Sequence, residues 1–157
     1  MKQTTVAHYL AGRIADAGVR HVFMVTGGGA MFLNDALAFQ DRLVPVFCHH
    51  EQACAMAAES YARITGGLGM VNVTTGPGGI NARNGVYGAW TDSVPMLVVS
   101  GQVKRATCLA TTPVPGLRQL GDQEREIIPM ARGITKYAAL VERAEDIACH
   151  FDQALHL

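Results

Sequence analysis

Long hydrophobic runs, excess charge of one sign and paired cysteines are all missing from this chain of 157 residues. No apolar run approaches the ~20 residues needed to cross a bilayer. Lys and Arg total 13 against 13 Asp and Glu. They are scattered, and without a basic stripe or interleaved aromatics no nucleic-acid partner is expected. The start, Met1-Lys2-Gln3-Thr4-Thr5, lacks the apolar core of a signal peptide, so a cytoplasmic location is expected. Cys48, Cys54, Cys108 and Cys149 form no C-x-x-C pair and are expected to be reduced and buried. Cys48, His49, His50 and Cys54 offer ligand-like spacing but no clear second pair, so no metal ligand is expected. No repeat or low-complexity tract occurs.

What is present is an apolar fraction of 49% with 17% charged residues, enough for one domain with a sizeable core. Helical and extended signals alternate. Thr4 or Thr5 can cap a helix with the apolar face Val6, Tyr9, Leu10 and Ile14, ended by Gly18. Strands are predicted at 21–25, 43–48, 69–74 and 94–100, with Pro45 pointing to an edge or strand-start position. Between them lie predicted helices at 30–39, 51–64 and 80–90. Strands that are apolar on both faces and alternate with helices predict an α/β fold, a doubly wound parallel sheet with helices on both faces. After Gly101 the pattern weakens: a surface loop over 107–116, a short helix over 122–130, a strand over 135–141 and a helix over 144–157. The 101–124 segment is expected to be poorly fixed by itself. No strand or cap follows the last helix, so the chain is expected to be a fragment of a larger polypeptide.

In an open parallel sheet, ligands bind beyond the carboxyl ends of the strands. Three features should meet there: Val25-Thr26-Gly27-Gly28-Gly29, Glu51, and Thr75-Gly76-Pro77-Gly78-Gly79-Ile80-Asn81. Glycines admit a ligand to the backbone, and helix N-termini present unpaired N–H groups. Any one such turn needs only a tight connection to explain it; three together favour a site. Glu51 opens a helix, where the dipole alone would stabilise it, yet it follows an apolar strand and precedes a run of alanines, a setting suited to proton relay. A nicotinamide dinucleotide-binding domain is the competitor, since Glu51 lies at a suitable distance after the glycines. Its fingerprint fails at the third glycine, which here is Phe32, and leaves 76–81 unexplained.

The combination resembles the N-terminal, pyrimidine-binding (PYR) domain of thiamine-diphosphate-dependent enzymes of the acetolactate synthase group. The resemblance is carried by 22–37, by His50-Glu51-Gln52-Ala53 with Tyr61-Ala62-Arg63-Ile64-Thr65-Gly66, by 74–81, by Asp92-Ser93-Val94-Pro95 to Gln102, and by Gln123-Glu124 through Thr135-Lys136. It implies thiamine diphosphate as cofactor. Glu51 would hydrogen-bond the N1′ nitrogen of the aminopyrimidine, stabilising the imino form that lets the thiazolium C2 lose its proton. Val25, Thr26 and Gly27 would line the pyrimidine, Thr75, Pro77, Gly78 and Asn81 would form the Gly-Pro-Gly loop, and Gln123 would face the substrate. The implied activity is that of a lyase or transferase on a 2-oxo acid, either carboligation or decarboxylation.

Two departures concern the substrate side: Val25-Thr26 stands where acetolactate synthases often have Tyr-Pro, and 117–124 differs from their pattern. Both leave the 2-oxo acid and its acceptor open. The family binds Mg2+ and diphosphate in a separate PP domain through Gly-Asp-Gly and a later Asn. Here Gly121-Asp122 is followed by Gln123, and no Asn occurs after Asn84. The chain is therefore expected to hold half an active site, inactive alone and lacking middle and PP domains. A PP domain of the same or another chain, in a homodimer or homotetramer, is the implied partner. FAD could accompany a middle domain. A non-catalytic binding or assembly module with the same fold is the alternative; loss of the glutamate usually marks one, and Glu51 is present.

Overall fold

The computed structural model describes residues 4–112 and 114–157. Residue 113 of the 107–116 loop and the first three residues lie outside the described set. Four parallel strands, β1 (His21–Met24), β2 (Val44–Phe47), β3 (Gly69–Val73) and β4 (Met96–Ser100), line up in the order β2-β1-β3-β4. The sheet is thus doubly wound, with its order reversing between β1 and β3. β2 is an edge strand, which accommodates Pro45 because a missing N–H costs nothing on an unpaired side.

Six α-helices occur among the described residues: α1 (Val6–Asp16), α2 (Met31–Ala38), α3 (Glu51–Thr65), α4 (Pro77–Thr91), α5 (Ile128–Ala131) and α6 (Ile147–His156). Thr5 caps α1 by accepting from the His8 N–H at 3.3 Å. Alternation along the strands divides the core in two. One cluster joins Leu10, Ala11 and Ile14 of α1 to Val22, Met24, Leu37, Met70 and Phe151. The other joins Cys54, Ala55 and Ala58 of α3 to Val71, Val73 and Ala82. Fully buried side chains such as Ile14, Met24 and Met70 each contribute about 2 kcal/mol of hydrophobic stabilisation.

α3 starts where His50 Nδ1 accepts from the Gln52 N–H at 3.1 Å. Near its far end Arg63 pairs with Glu59 one turn back and with Asp92 just after α4, each at 2.5 Å. The two longest helices are thereby joined at the ends remote from Glu51.

Three predicted elements differ. α4 begins at Pro77 rather than 80, since a proline at the first helical turn gives up only an N–H that has no intrahelical partner. The 122–130 helix shrinks to Ile128–Ala131, because Gln123 takes a positive φ and breaks helical continuation. The 135–141 segment forms no ladder: a strand is held by its neighbour, and none of the four strands lies beside this one. Cys149 is exposed and Cys48 half-buried, against the expectation that all four thiols are buried. Cys149 lies on the short terminal helix, where only Phe151 is buried.

Candidate active site

The helix entries after β2 and β3 bring Glu51 and Asn81 together across the carboxyl edge of the sheet. Asn81 Nδ2 donates to Glu51 Oε2 at 2.9 Å. Glu51 is buried, and among the described residues Asn81 is its recorded side-chain partner. Its other oxygen, Oε1, faces Gly78: a methyl built on Gly78 would sit 3.6 Å from Oε1 and 2.9 Å from the Thr74 methyl. Glycine here keeps a floor open beside a carboxylate oxygen.

The first glycine loop reaches the same edge. Thr74 Oγ1 accepts from the Gly29 N–H at 3.1 Å, tying the loop after β1 to the end of β3. A Cβ on Gly27 would lie 2.5 Å from that of Thr74, so the two strand ends touch. Val25 is half-buried against the α3 side of the core, Thr26 is exposed, and Pro77 is exposed at the start of α4. Thr75 is buried and donates its hydroxyl to Gln102 Oε1, which also accepts from the Val103 N–H at 2.9 Å.

Gly76 is the tight point. Its φ of 52° and ψ of −111° suit glycine alone, and an added Cβ would lie 1.8 Å from the Gln123 carbonyl oxygen. The turn after β3 therefore packs directly on the backbone of Gln123, far along the chain. Gln123 is exposed, with a φ of 55° that only a few per cent of non-glycine residues adopt.

The next residue, which lies in one of the segments carrying the resemblance but receives no role from it, has a buried carboxylate. Glu124 Oε1 accepts from Cys108 Sγ at 3.0 Å and from the Leu109 N–H at 2.7 Å, while Oε2 accepts from the Gly121 N–H at 3.2 Å. The 101–124 segment, expected to be poorly fixed, thus has an internal anchor. Burial pushes the Glu124 carboxyl up, but the Cys108 thiol and the two N–H groups favour its charged form, and the net position is below its ordinary value. Burial and that carboxylate push the facing Cys108 thiol up. In the other core cluster, burial and the neighbouring Cys48 push Cys54 up to about 12, making it a poor nucleophile at neutral pH.

The sign of the Glu124 displacement gives a pH expectation. The folded chain binds this proton later than the unfolded chain does. The anchor's contribution is therefore complete above the unfolded value of about 4.3 and is lost as pH falls through the lower folded value. Protection of the Cys108 thiol, taken as its labelling rate relative to an unfolded control at the same pH and read by peptide mass spectrometry, should hold from neutrality to about pH 5 and fall only in stronger acid. Protection lost above pH 5 would contradict it.

Cys48, His49, His50 and Cys54 do not converge: both histidines are exposed, and Cys54 lies in the core. Among the described residues no group of three or more His, Cys, Asp or Glu is placed to hold a metal. A cavity of about 2310 Å³ lies between β4 and the C-terminal segment, lined by Leu97, Val99, Ile127, Tyr137 and Phe151 among others. Neither Glu51 nor Asn81 lines it, so this space is separate from the point where those two side chains meet.

The helix-opening glutamate, the glycine-floored turn and Thr74 all lie within one segment that matches a known family. The family profile described as "Thiamine pyrophosphate enzyme, N-terminal TPP binding domain" covers residues 4–125. The chain belongs to this family. Among curated proteins, the acetolactate synthase large subunit of Haemophilus influenzae is 34% identical over 157 residues, all of this chain and 26% of that protein. The acetolactate synthase large subunit of Buchnera aphidicola subsp. Schizaphis graminum is 37% identical over 144 residues, 92% of this chain and 24% of that protein. A probable pyruvate decarboxylase of Schizosaccharomyces pombe is 43% identical over 98 residues, 62% of this chain and 17% of that protein. The chain spans about a quarter of the length of the two acetolactate synthases. As a thiamine pyrophosphate enzyme N-terminal domain, it has no helix among the described residues long and apolar enough to cross a membrane.

Proposed function

We propose that this domain is the pyrimidine-binding half of a thiamine-diphosphate-dependent enzyme that makes or breaks the bond beside a 2-oxo acid carbonyl. The observation that carries the reading is the two-sided state of Glu51: Oε2 is held by Asn81, and Oε1 faces the space kept by Gly78. That oxygen takes no hydrogen bond among the described residues and lies beside a floor a side chain would fill, which suits a protonated ring nitrogen of a flat heterocycle. When bound, the cofactor supplies the electron sink for chemistry at the carbonyl carbon.

The chain's own residues then have separable tasks. Glu51 holds a proton at the ring nitrogen, and Asn81 keeps its carboxylate from rotating away. Gly78 and the N-terminus of α4 form the floor, while Val25, Thr26 and Gly27 provide the adjoining wall. Gln123 stands at the substrate side. Diphosphate, magnesium and FAD, if used, are assigned to other domains. The reading thus requires a PP domain as partner, in the same chain or in a homo-oligomer. The transferase and lyase readings share these residues and differ in whether a second carbonyl compound is admitted.

The test uses the complete gene product with thiamine diphosphate, magnesium and a panel of 2-oxo acids, alone and in pairs. Cofactor-dependent consumption of one acid is expected. Aldehyde release would mark a decarboxylase, and a condensed hydroxy-oxo acid a carboligase. A folded protein that neither binds the cofactor nor consumes any of the acids would overturn the reading and leave a binding or assembly module.

A further inference from the structure

Glu124 is a buried charge that the proposed chemistry does not use. It is 7% exposed, and its three recorded side-chain partners are a thiol and two backbone N–H groups, none of them cationic. Burying a carboxylate without a counter-charge is costly unless donors replace its water. A loop that needed only closing could use a neutral acceptor. The position of the charge beside a strained residue suggests what it is for.

Residues 121–124 form a tight turn in which the Glu124 N–H donates to the Gly121 carbonyl at 3.2 Å. Gln123 occupies the third position with its φ of 55°, a place that ordinarily takes Gly or Asn. Such a conformation persists in a side-chain-bearing residue only when the surroundings over-determine it. Glu124 provides that constraint from three sides: its carboxylate grips the start of the turn at Gly121 and ties it to Leu109 and Cys108 across the loop. Gln119 Nε2 completes the frame, donating to the carbonyls of Gly121 at 2.9 Å and Glu124 at 3.2 Å. The turn so fixed presses the Gln123 carbonyl onto Gly76, at the entry of the helix that carries Asn81.

We propose that Glu124 is a positioning residue of the active site, a buried carboxylate clamp that holds Gln123 left-handed against the Gly76 turn and so sets where the Gln123 side chain stands. The role of Gln123 in this inference rests on the function proposed above. The clamp itself rests on the geometry alone.

The test compares Glu124→Ala, Glu124→Gln, Gln123→Ala and the Gln123→Ala/Glu124→Ala double variant in the complete gene product. Two readouts are taken: cofactor-dependent turnover, and labelling of Cys108 together with tryptic cleavage after Arg118 and Arg125. Glu124→Ala should expose Cys108, loosen the segment so that cleavage after the already exposed Arg118 and Arg125 is faster, and lower turnover at least ~10-fold, in line with the effect of displacing a positioned group. Glu124→Gln keeps one acceptor oxygen for one of the two N–H groups and turns an amide N–H toward the other, so it should recover both readouts only in part. Because Glu124 acts through Gln123, the double variant should turn over no more slowly than Gln123→Ala. Losses that multiply in the double variant, or full turnover in Glu124→Ala, would overturn positioning through Gln123. If the wild-type protein shows no thiamine-dependent turnover, the functional reading falls separately. Unchanged labelling and cleavage in Glu124→Ala would then overturn the clamp as well. Should the alanine variant fail to fold, the same two readouts on Glu124→Gln decide, with intermediate values expected and wild-type values contradicting the proposal.

Discussion

Glu51→Gln in the complete gene product should lower cofactor-dependent turnover by about 100-fold or more, the range in which a positioned proton-transfer group operates. The substitution keeps the side chain's shape, so Asn81 retains an oxygen to donate to at the Oε2 position. The fold should survive, because glutamine fills the same volume and removes a buried charge. On the function proposed above, what is lost is the ability to hold a proton against a ring nitrogen on the Gly78 side. The measurement is turnover at saturating cofactor, with circular dichroism and cofactor affinity alongside. An unchanged rate would remove Glu51 from the chemistry. A lost rate accompanied by a lost fold would be uninformative, and Asn81→Ala supplies the second reading. It leaves Glu51 charged but unanchored, and should give a smaller loss of rate.

The second large effect concerns stability and activity together. Gly76→Ala forces a side chain into a backbone region reserved for glycine, and its Cβ would meet the Gln123 carbonyl oxygen at 1.8 Å. The conformational strain alone is worth about 1–2 kcal/mol. The clash is with backbone, which cannot rotate aside, and overpacking of this kind adds about 1–3 kcal/mol. A total near 3 kcal/mol corresponds to a Tm lower by about 10 °C for a domain of this size. Gly116→Ala is the control that separates the two contributions. Its φ is 75°, but an added Cβ would meet nothing within 4 Å, so it should show the strain without the clash. Equal Tm losses for the two variants would mean that the 121–124 turn moves aside at little cost. The contact between Gly76 and Gln123 would then not be a fixed part of the site.

Some of this was readable in the amino-acid order and some was not, for physical reasons. β1 and β3 are apolar on both faces because each is covered on both, so run length and β-branched content suffice to find them. Glu51 follows the half-exposed edge strand β2 and the Gly-Pro-Gly turn follows the buried β3; both were visible because a strand end in a parallel sheet has a known address. The bond between Glu51 and Asn81 was not visible. It depends on α3 and α4 lying side by side, which follows from the β2-β1-β3-β4 order and not from either motif. Thr74 was missed as a tie because its partner is a main-chain N–H of Gly29, and backbone donors leave no trace in composition. Glu124 was missed in the same way, since two of its donors are the backbone groups of Leu109 and Gly121. The expected strand at 135–141 does not form because a segment able to extend also needs a neighbour to pair with, and none of the four strands lies beside it.

The joint that Arg63 makes with Glu59 and Asp92 has a consequence out of proportion to its strength. An exposed ion pair of this kind is worth about 0.2–1 kcal/mol, too little to matter for whether the domain folds. Yet Arg63 stands about 18 Å along the α3 axis from Glu51, at a rise of about 1.5 Å per residue. Over that lever, a tilt of about 5° between the helices would swing the carboxylate by about 1.6 Å, half the length of a hydrogen bond. The close packing of α3 on α4 at Ala55 and Gly85 and the bond between Asn81 and Glu51 limit that tilt as well. The latch adds its small restraint to theirs with the longest arm on the carboxylate.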